Sequence, residues 1–188
     1  NPFAPGIYEF GNVKEFSGTI QAEPIPFLLV ERIDQNGTGE TVPFFDRYPL
    51  VSEGKFGFDV SNLRDKRVNL KGSLIYRDET RMIEVVSNSV EVVSADDGPK
   101  DVALTLGNHI LKGEIVDSKC YLGVMNPGEA KPHKECAIRC LSGGVPPLFV
   151  VKDTQGNRSE LWLVAEKRTF LDYVAEPIEI KGEIKRQG

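Results

Sequence analysis

The feature that most constrains this chain is an apolar–polar alternation that occurs twice, in the same order, around matching glycines. Val13 to Ile20 and Arg67 to Tyr76 alternate apolar and polar residues, the two-residue period of a strand with one buried face. Phe27-Leu28-Leu29-Val30 is a short continuous apolar run, as a strand buried on both faces requires. Asp34 to Glu40 reads as a turn from its glycines and asparagine. Arg77 to Thr80 is a polar break before the strand Met82 to Val86.

The order then recurs. Phe16-Ser17-Gly18-Thr19-Ile20 matches Leu111-Lys112-Gly113-Glu114-Ile115 at an offset of 95 residues. Pro26 to Glu31 matches Pro147 to Lys152 at an offset of 121. Val68 to Leu74, containing Gly72, matches Ile178 to Ile184, containing Gly182. A glycine inside a strand marks a bulge or a sharp bend at a barrel corner. About five short strands per half predict an all-β chain of two tandem small Greek-key barrels of the OB type, with paired β-sandwich modules as the alternative. The modules span 1–95 and 102–188, joined by a small, charged linker from Ser94 to Asp101 that contains Gly98-Pro99. The second copy stops after its Lys-Gly strand, with no counterpart of Met82 to Val86. Its closing strand is then expected from elsewhere, such as the irregular arm Asn1 to Gly6, or from a longer natural chain.

Charge narrows the function. With 28 acidic against 23 basic residues, net charge is −5 and no basic run exceeds two residues. Nucleic acid, which needs a basic face to replace phosphate counterions, is excluded as a partner. No segment reaches the roughly 20 apolar residues of a membrane-spanning helix. The chain opens at Asn1 without an initiator methionine, which reads as a processed mature protein or a trimmed chain from which any leader or anchor is already gone.

The rise in offset from 95 to 121 places about 26 extra residues between the first two strands of the second copy, near 117–145. All three cysteines, Cys120, Cys136 and Cys140, lie in that insertion with His133 and Met125. Loops on a rigid β scaffold are the usual place for function. Met125 to Glu129 reads as a turn, and Lys131 to Ser142 as about two helical turns, with Pro132 in the first turn and Gly143-Gly144 as the C-terminal stop. On that helix His133, Cys136 and Cys140 stand at i, i+3 and i+7, on one face. Cys120, at the end of a strand from Leu111 to Lys119, is placed to meet them.

Three chemistries fit this cluster. As a metal centre, three thiolates and one imidazole suit tetrahedral zinc, and soft sulfur also suits cuprous copper or iron; Met125 could add a thioether. As a staple, a disulfide from Cys120 to Cys136 or Cys140 would pin the insertion and leave one thiol over. As a reactive thiol, a cysteine near a helix start beside a histidine could carry a lowered pKa. Neither a Ser-His-Asp order, nor a phosphate-binding glycine loop, nor H-E-x-x-H is present, so a non-catalytic protein is expected. His109 reads as a solvated strand-end histidine and Trp162 as core. Phe44-Phe45 and Phe56-Gly57-Phe58 read as packing residues, with a ligand-stacking surface as the alternative.

Asp117-Ser118-Lys119-Cys120, followed by His133-Lys134-Glu135-Cys136-Ala137-Ile138-Arg139-Cys140 and Gly143-Gly144, resembles a loosely defined bacterial family of secreted or membrane-tethered proteins without an assigned function. The resemblance covers about 111–152. It implies an extracytoplasmic protein, periplasmic or secreted, in which His133 and the cysteines form a unit. The expectation is an extracytoplasmic metal- or cofactor-binding protein with Cys120, His133, Cys136 and Cys140 as ligands, redox or electron transfer being one use. The alternative is an interaction module of a cell-envelope complex, partnered by protein and pinned by a disulfide.

Overall fold

A computed structural model describes residues 6–35, 41–95, 103–153, 155 and 157–187. The N-terminal arm (1–5), most of the turn at 36–40 and the linker (96–102) lie outside the described residues. The first half contains β1 (Ile7–Tyr8), β2 (Lys14–Gln21), β3 (Phe27–Gln35), β4 (Thr41–Ser52), β5 (Lys66–Arg77), β6 (Thr80–Val85) and β7 (Glu91–Ala95). Strand β2 pairs with β3 and β5, β3 with β4, and β6 bridges β4 and β5, so five strands close into a barrel. The β4–β6 pairing is parallel and the other four are antiparallel. Strands β1 and β7 add to β5.

The alternation read from the sequence becomes the inward face. Ile20, Leu28, Leu50, Val68, Leu70, Ile83 and Val85 form one buried cluster. Gly18 is required where β2 and β3 converge: a Cβ there would stand 2.2 Å from the Leu29 carbonyl oxygen.

The second half forms a four-stranded antiparallel sheet in the order β10-β9-β8-β11, from β8 (Ala103–Asp117), β9 (Pro147–Lys152), β10 (Arg158–Trp162) and β11 (Pro177–Gln187). That is the order β4-β3-β2-β5 of the first half. Gly113 repeats the role of Gly18, since a Cβ would meet the Val150 carbonyl oxygen at 2.4 Å. The expected second barrel is not closed among the described residues, because no strand bridges β10 and β11 as β6 bridges β4 and β5.

The insertion runs between β8 and β9. It holds a wide helical turn at Cys120–Val124, a 3-10 turn at Lys131–His133, and α1 (Lys134–Ser142). Strand β8 ends at Asp117 rather than Lys119, so Cys120 opens a helical turn instead of ending a strand. A further short helix, α2 (Lys167–Phe170), precedes β11. Ala137 and Leu141 of α1 pack on Ile115, Phe149 and Phe170. A third cluster joins the halves: Val51, Ile75 and Met82 pack with Val116, Tyr121, Leu122, Val145 and Leu148. The cysteines lie in this shared core.

Candidate metal centre

Cys120, Cys136 and Cys140 carry free thiols, and their three sulfurs all lie within 4.8 Å of one another. Helix α1 supplies two of them one turn apart, and the turn after β8 supplies the third, as the helical face predicts. Cys120 and Cys140 are buried, while Cys136 is half-buried at the rim. Ligands on one tetrahedral zinc, with Zn–S bonds of about 2.3 Å, stand about 3.8 Å apart. The donor set therefore fits a soft metal ion by chemistry and by spacing.

His133 is placed differently. Its Nε2 lies 2.9 Å from Asp117 Oδ2, with the two side chains 3% and 0% exposed. Asp117 Oδ1 accepts the Cys120 backbone N–H at 2.8 Å. Asp117, Cys120 and His133 form a second group of potential ligand atoms within 4.8 Å of one another, sharing Cys120 with the sulfur group. The four residues picked out from the sequence, with Asp117 as a fifth, thus fall into two triads joined at Cys120. Asp117 belongs to the sequence motif but is not among its ligand candidates; its position three residues before Cys120 is the spacing at which a carboxylate can hold a following N–H. Ser118, between them, is buried, and its Oγ has no hydrogen-bond partner among the described residues.

The other addition comes from the first half. Lys55, in the bend after β4, brings Nζ to 2.8 Å from Cys136 Sγ and 3.8 Å from Cys140 Sγ. Nothing in the sequence pointed to it, since 65 residues separate it from Cys120. Lys119, next to Cys120, fixes that bend. Its buried ammonium donates to the carbonyls of Ser52 (2.9 Å) and Gly54 (2.7 Å) and pairs with Glu84, which also accepts from Tyr8. The bend also meets the glycine pair after α1: the Gly57 N–H donates to the Gly143 carbonyl at 3.1 Å. A Cβ on Gly143 would stand 2.0 Å from the Lys55 carbonyl oxygen, and Gly144 takes φ of 100°. The glycine pair therefore stops α1, as expected, and also admits the Lys55 bend.

These contacts shape the electrostatics. The Cys140 thiol is lowered to about 7, chiefly by the hydrogen bond from Cys120 and then, against the cost of burial, by Lys55. Cys120 is pushed up, because it donates that bond and lies buried beside Asp117. The pair thus resolves into a Cys120 thiol donating to a Cys140 thiolate. Lys55 is raised, first by its hydrogen bond with Cys136. An ammonium beside a sulfur pair that shares one proton is an arrangement that soft cations, oxidants and alkylating reagents can all exploit.

Farther out, Arg77 donates to the Tyr121 carbonyl at 2.9 Å and lies over the Tyr121 ring, pinning the insertion to β5. Met125 is 45% exposed, at the surface. His109 is exposed on β8. Trp162 is half-buried against two of the clusters. Phe45 and Phe58 pack inward, whereas Phe44 and Phe56 are exposed. No helix among the described residues is long and apolar enough to cross a membrane. Comparison with protein-family models, curated proteins and solved structures returns no match.

Proposed function

We propose that this is an extracytoplasmic metal-binding protein that holds one soft metal ion on Cys120, Cys136 and Cys140. The observation that carries the reading is three unbonded sulfurs within 4.8 Å in the core between the two halves. The donor set favours cuprous copper over zinc. Three thiolates complete a trigonal cuprous site, whereas tetrahedral zinc needs a fourth ligand. His133, the fourth residue of the ligand set, would have to leave Asp117 to supply it. The bound ion would supply soft Lewis acidity or a one-electron couple; the protein supplies thiolates, a nearby ammonium and a largely dry setting. The extracytoplasmic location rests on the motif resemblance, and a cell-envelope protein partner is proposed on the same ground. The shared strand order of the two halves, with Gly18 and Gly113 in matching roles, supports a tandem origin from one OB-type module.

The second reading is the disulfide-pinned interaction module, favoured by the same closeness of the sulfurs. Elemental analysis with native and denaturing mass spectrometry separates the two. The metal reading expects stoichiometric copper or zinc and three alkylatable thiols once the ion is removed. A chain two hydrogens lighter than the reduced form, with no metal taken up after reduction, would establish the staple.

A further inference from the structure

We infer that Lys55 and Cys136 form a reversible nitrogen–oxygen–sulfur bridge under oxidation, closing the sulfur site by a covalent link between the two halves. The inference deepens the metal reading above and takes its biological meaning, a redox lock on ion loading, from that reading.

The geometry singles out this pair. Lys55 Nζ lies 2.8 Å from Cys136 Sγ. An N–H···O hydrogen bond centres near about 2.9 Å, and sulfur is the larger acceptor, so this N–S approach is closer than an ordinary hydrogen bond. The two atoms are close enough for one oxygen to bridge them with little movement of either. Cys136 is the half-buried cysteine of the three, open to a small oxidant, while Cys120 and Cys140 are buried. The bend carrying Lys55 is held on both sides, by Lys119 through Ser52 and Gly54, and by Gly57 on Gly143. The backbone that carries Lys55 is therefore held beside α1, and the exposed side chain reaches the sulfur from the solvent side.

The chemistry balances with peroxide as the oxidant. The Cys136 thiol attacks one hydrogen peroxide and gives up its proton, the O–O bond breaks, and sulfenic acid and one water result. The Lys55 amine, its extra proton released to solvent, then bonds through nitrogen to the sulfenic oxygen, losing one N–H and the O–H hydrogen. A second hydrogen peroxide takes that electron pair and leaves as water. Overall, one thiol, one neutral amine and two peroxides give one S–O–N bridge and three waters. Sulfur and nitrogen each lose two electrons, and a thiol reductant reverses the step.

Metal-free, reduced protein treated with hydrogen peroxide and weighed intact without reductant tests the inference. The expected species gains one oxygen and loses two hydrogens, reverts with dithiothreitol, and gives a fragment joining the Lys55 and Cys136 peptides. Lys55→Arg, which keeps the charge, is expected to lose this species entirely; Cys136→Ser gives an independent second loss should the arginine variant fold poorly. A wild-type product that is only a disulfide, or only sulfur oxyacids with Lys55 unlinked, overturns the inference. The two readings fail separately. A bridge in a chain that takes up neither copper nor zinc when reduced removes the metal reading alone. Stoichiometric copper without a bridge removes this inference alone.

Discussion

Asp117 and His133 face each other at 2.9 Å with both side chains buried, and the same carboxylate holds the backbone N–H of Cys120. One residue thereby fixes the imidazole and the start of the turn that presents the first sulfur. Removing one partner of a buried, hydrogen-bonded pair leaves the other unsatisfied, at a cost of about 3 kcal/mol. Asp117→Ala is expected to lower unfolding free energy by about that amount, measured in urea, and to weaken metal retention by displacing Cys120. Asp117→Asn, which keeps the volume and the oxygen that accepts from Cys120 but turns the other oxygen into an NH2 donor facing His133, is expected to recover part of the stability. Equal losses in the two variants would mean that the carboxylate oxygen facing His133, not the one facing Cys120, does the holding.

Lys119 carries the second prediction. It is 3% exposed, paired with Glu84 at 12%, and donates to two carbonyls of the bend that carries Lys55. Lys119→Met is expected to cost about 3 kcal/mol by leaving Glu84 without its cation. It should also free the bend, so that Cys136 alkylates faster in the metal-free protein. The double variant with Glu84→Gln is expected to cost less than the sum of the single changes, because each removes the same pair. Additive costs would show that Lys119 acts through the carbonyls alone.

The thiolate balance predicts a pH dependence. Cys140 is lowered to about 7 from an ordinary value of 9.0, and Cys120 is pushed up. A group whose folded pKa is depressed adds stability that is complete above its unfolded value and fades as pH falls through its folded value. For Cys140 that window runs from 9.0 down to about 7. Over this window the metal-free protein is expected to gain stability as pH rises, and Cys140→Ser should flatten that slope. Thiolate absorbance should show one ionisation near neutrality, moving upward in Lys55→Met. A Cys140 midpoint unmoved in that variant would remove Lys55 from the balance.

How much of this was legible in the sequence differs from element to element. Strands β2, β5, β6, β9 and β11 follow from alternation, because each presents one regular apolar face or a short apolar run to a neighbour. Strand β4 is not legible in the sequence. Its Asp46-Arg47 interrupts the apolar pattern, and it is a strand because it pairs with β3 along the full length of that partner and with β6 at its end. The insertion and α1 were legible because glycine, proline and cysteine spacing is local information. The division of the four ligand candidates was not, since Asp117's hold on His133 depends on β8 stopping two residues earlier than its alternation implied. Lys55 and Glu84 were invisible for the same reason: they reach the site through the docking of two halves, and only tertiary pairing brings them there.

The final prediction concerns that docking. Gly143 leaves room for the Lys55 carbonyl, which a Cβ would approach to 2.0 Å, and Gly57 leaves room for the Gly144 carbonyl at 2.2 Å. Both obstacles are backbone, so the clash cannot be relieved by turning a side chain. Overpacking of this kind costs about 1–3 kcal/mol. Gly143→Ala is expected to lose stability in that range and to push the bend at Gly54 to Gly57 away from α1, carrying Lys55 off Cys136. The discriminating readout is the Cys140 ionisation. If docking of the first half tunes the sulfurs, the midpoint rises in Gly143→Ala as it does in Lys55→Met, and combining the two changes raises it no further. A Gly143→Ala protein that is destabilised yet keeps its Cys140 midpoint near 7 would show that the first half braces the site without setting its charge.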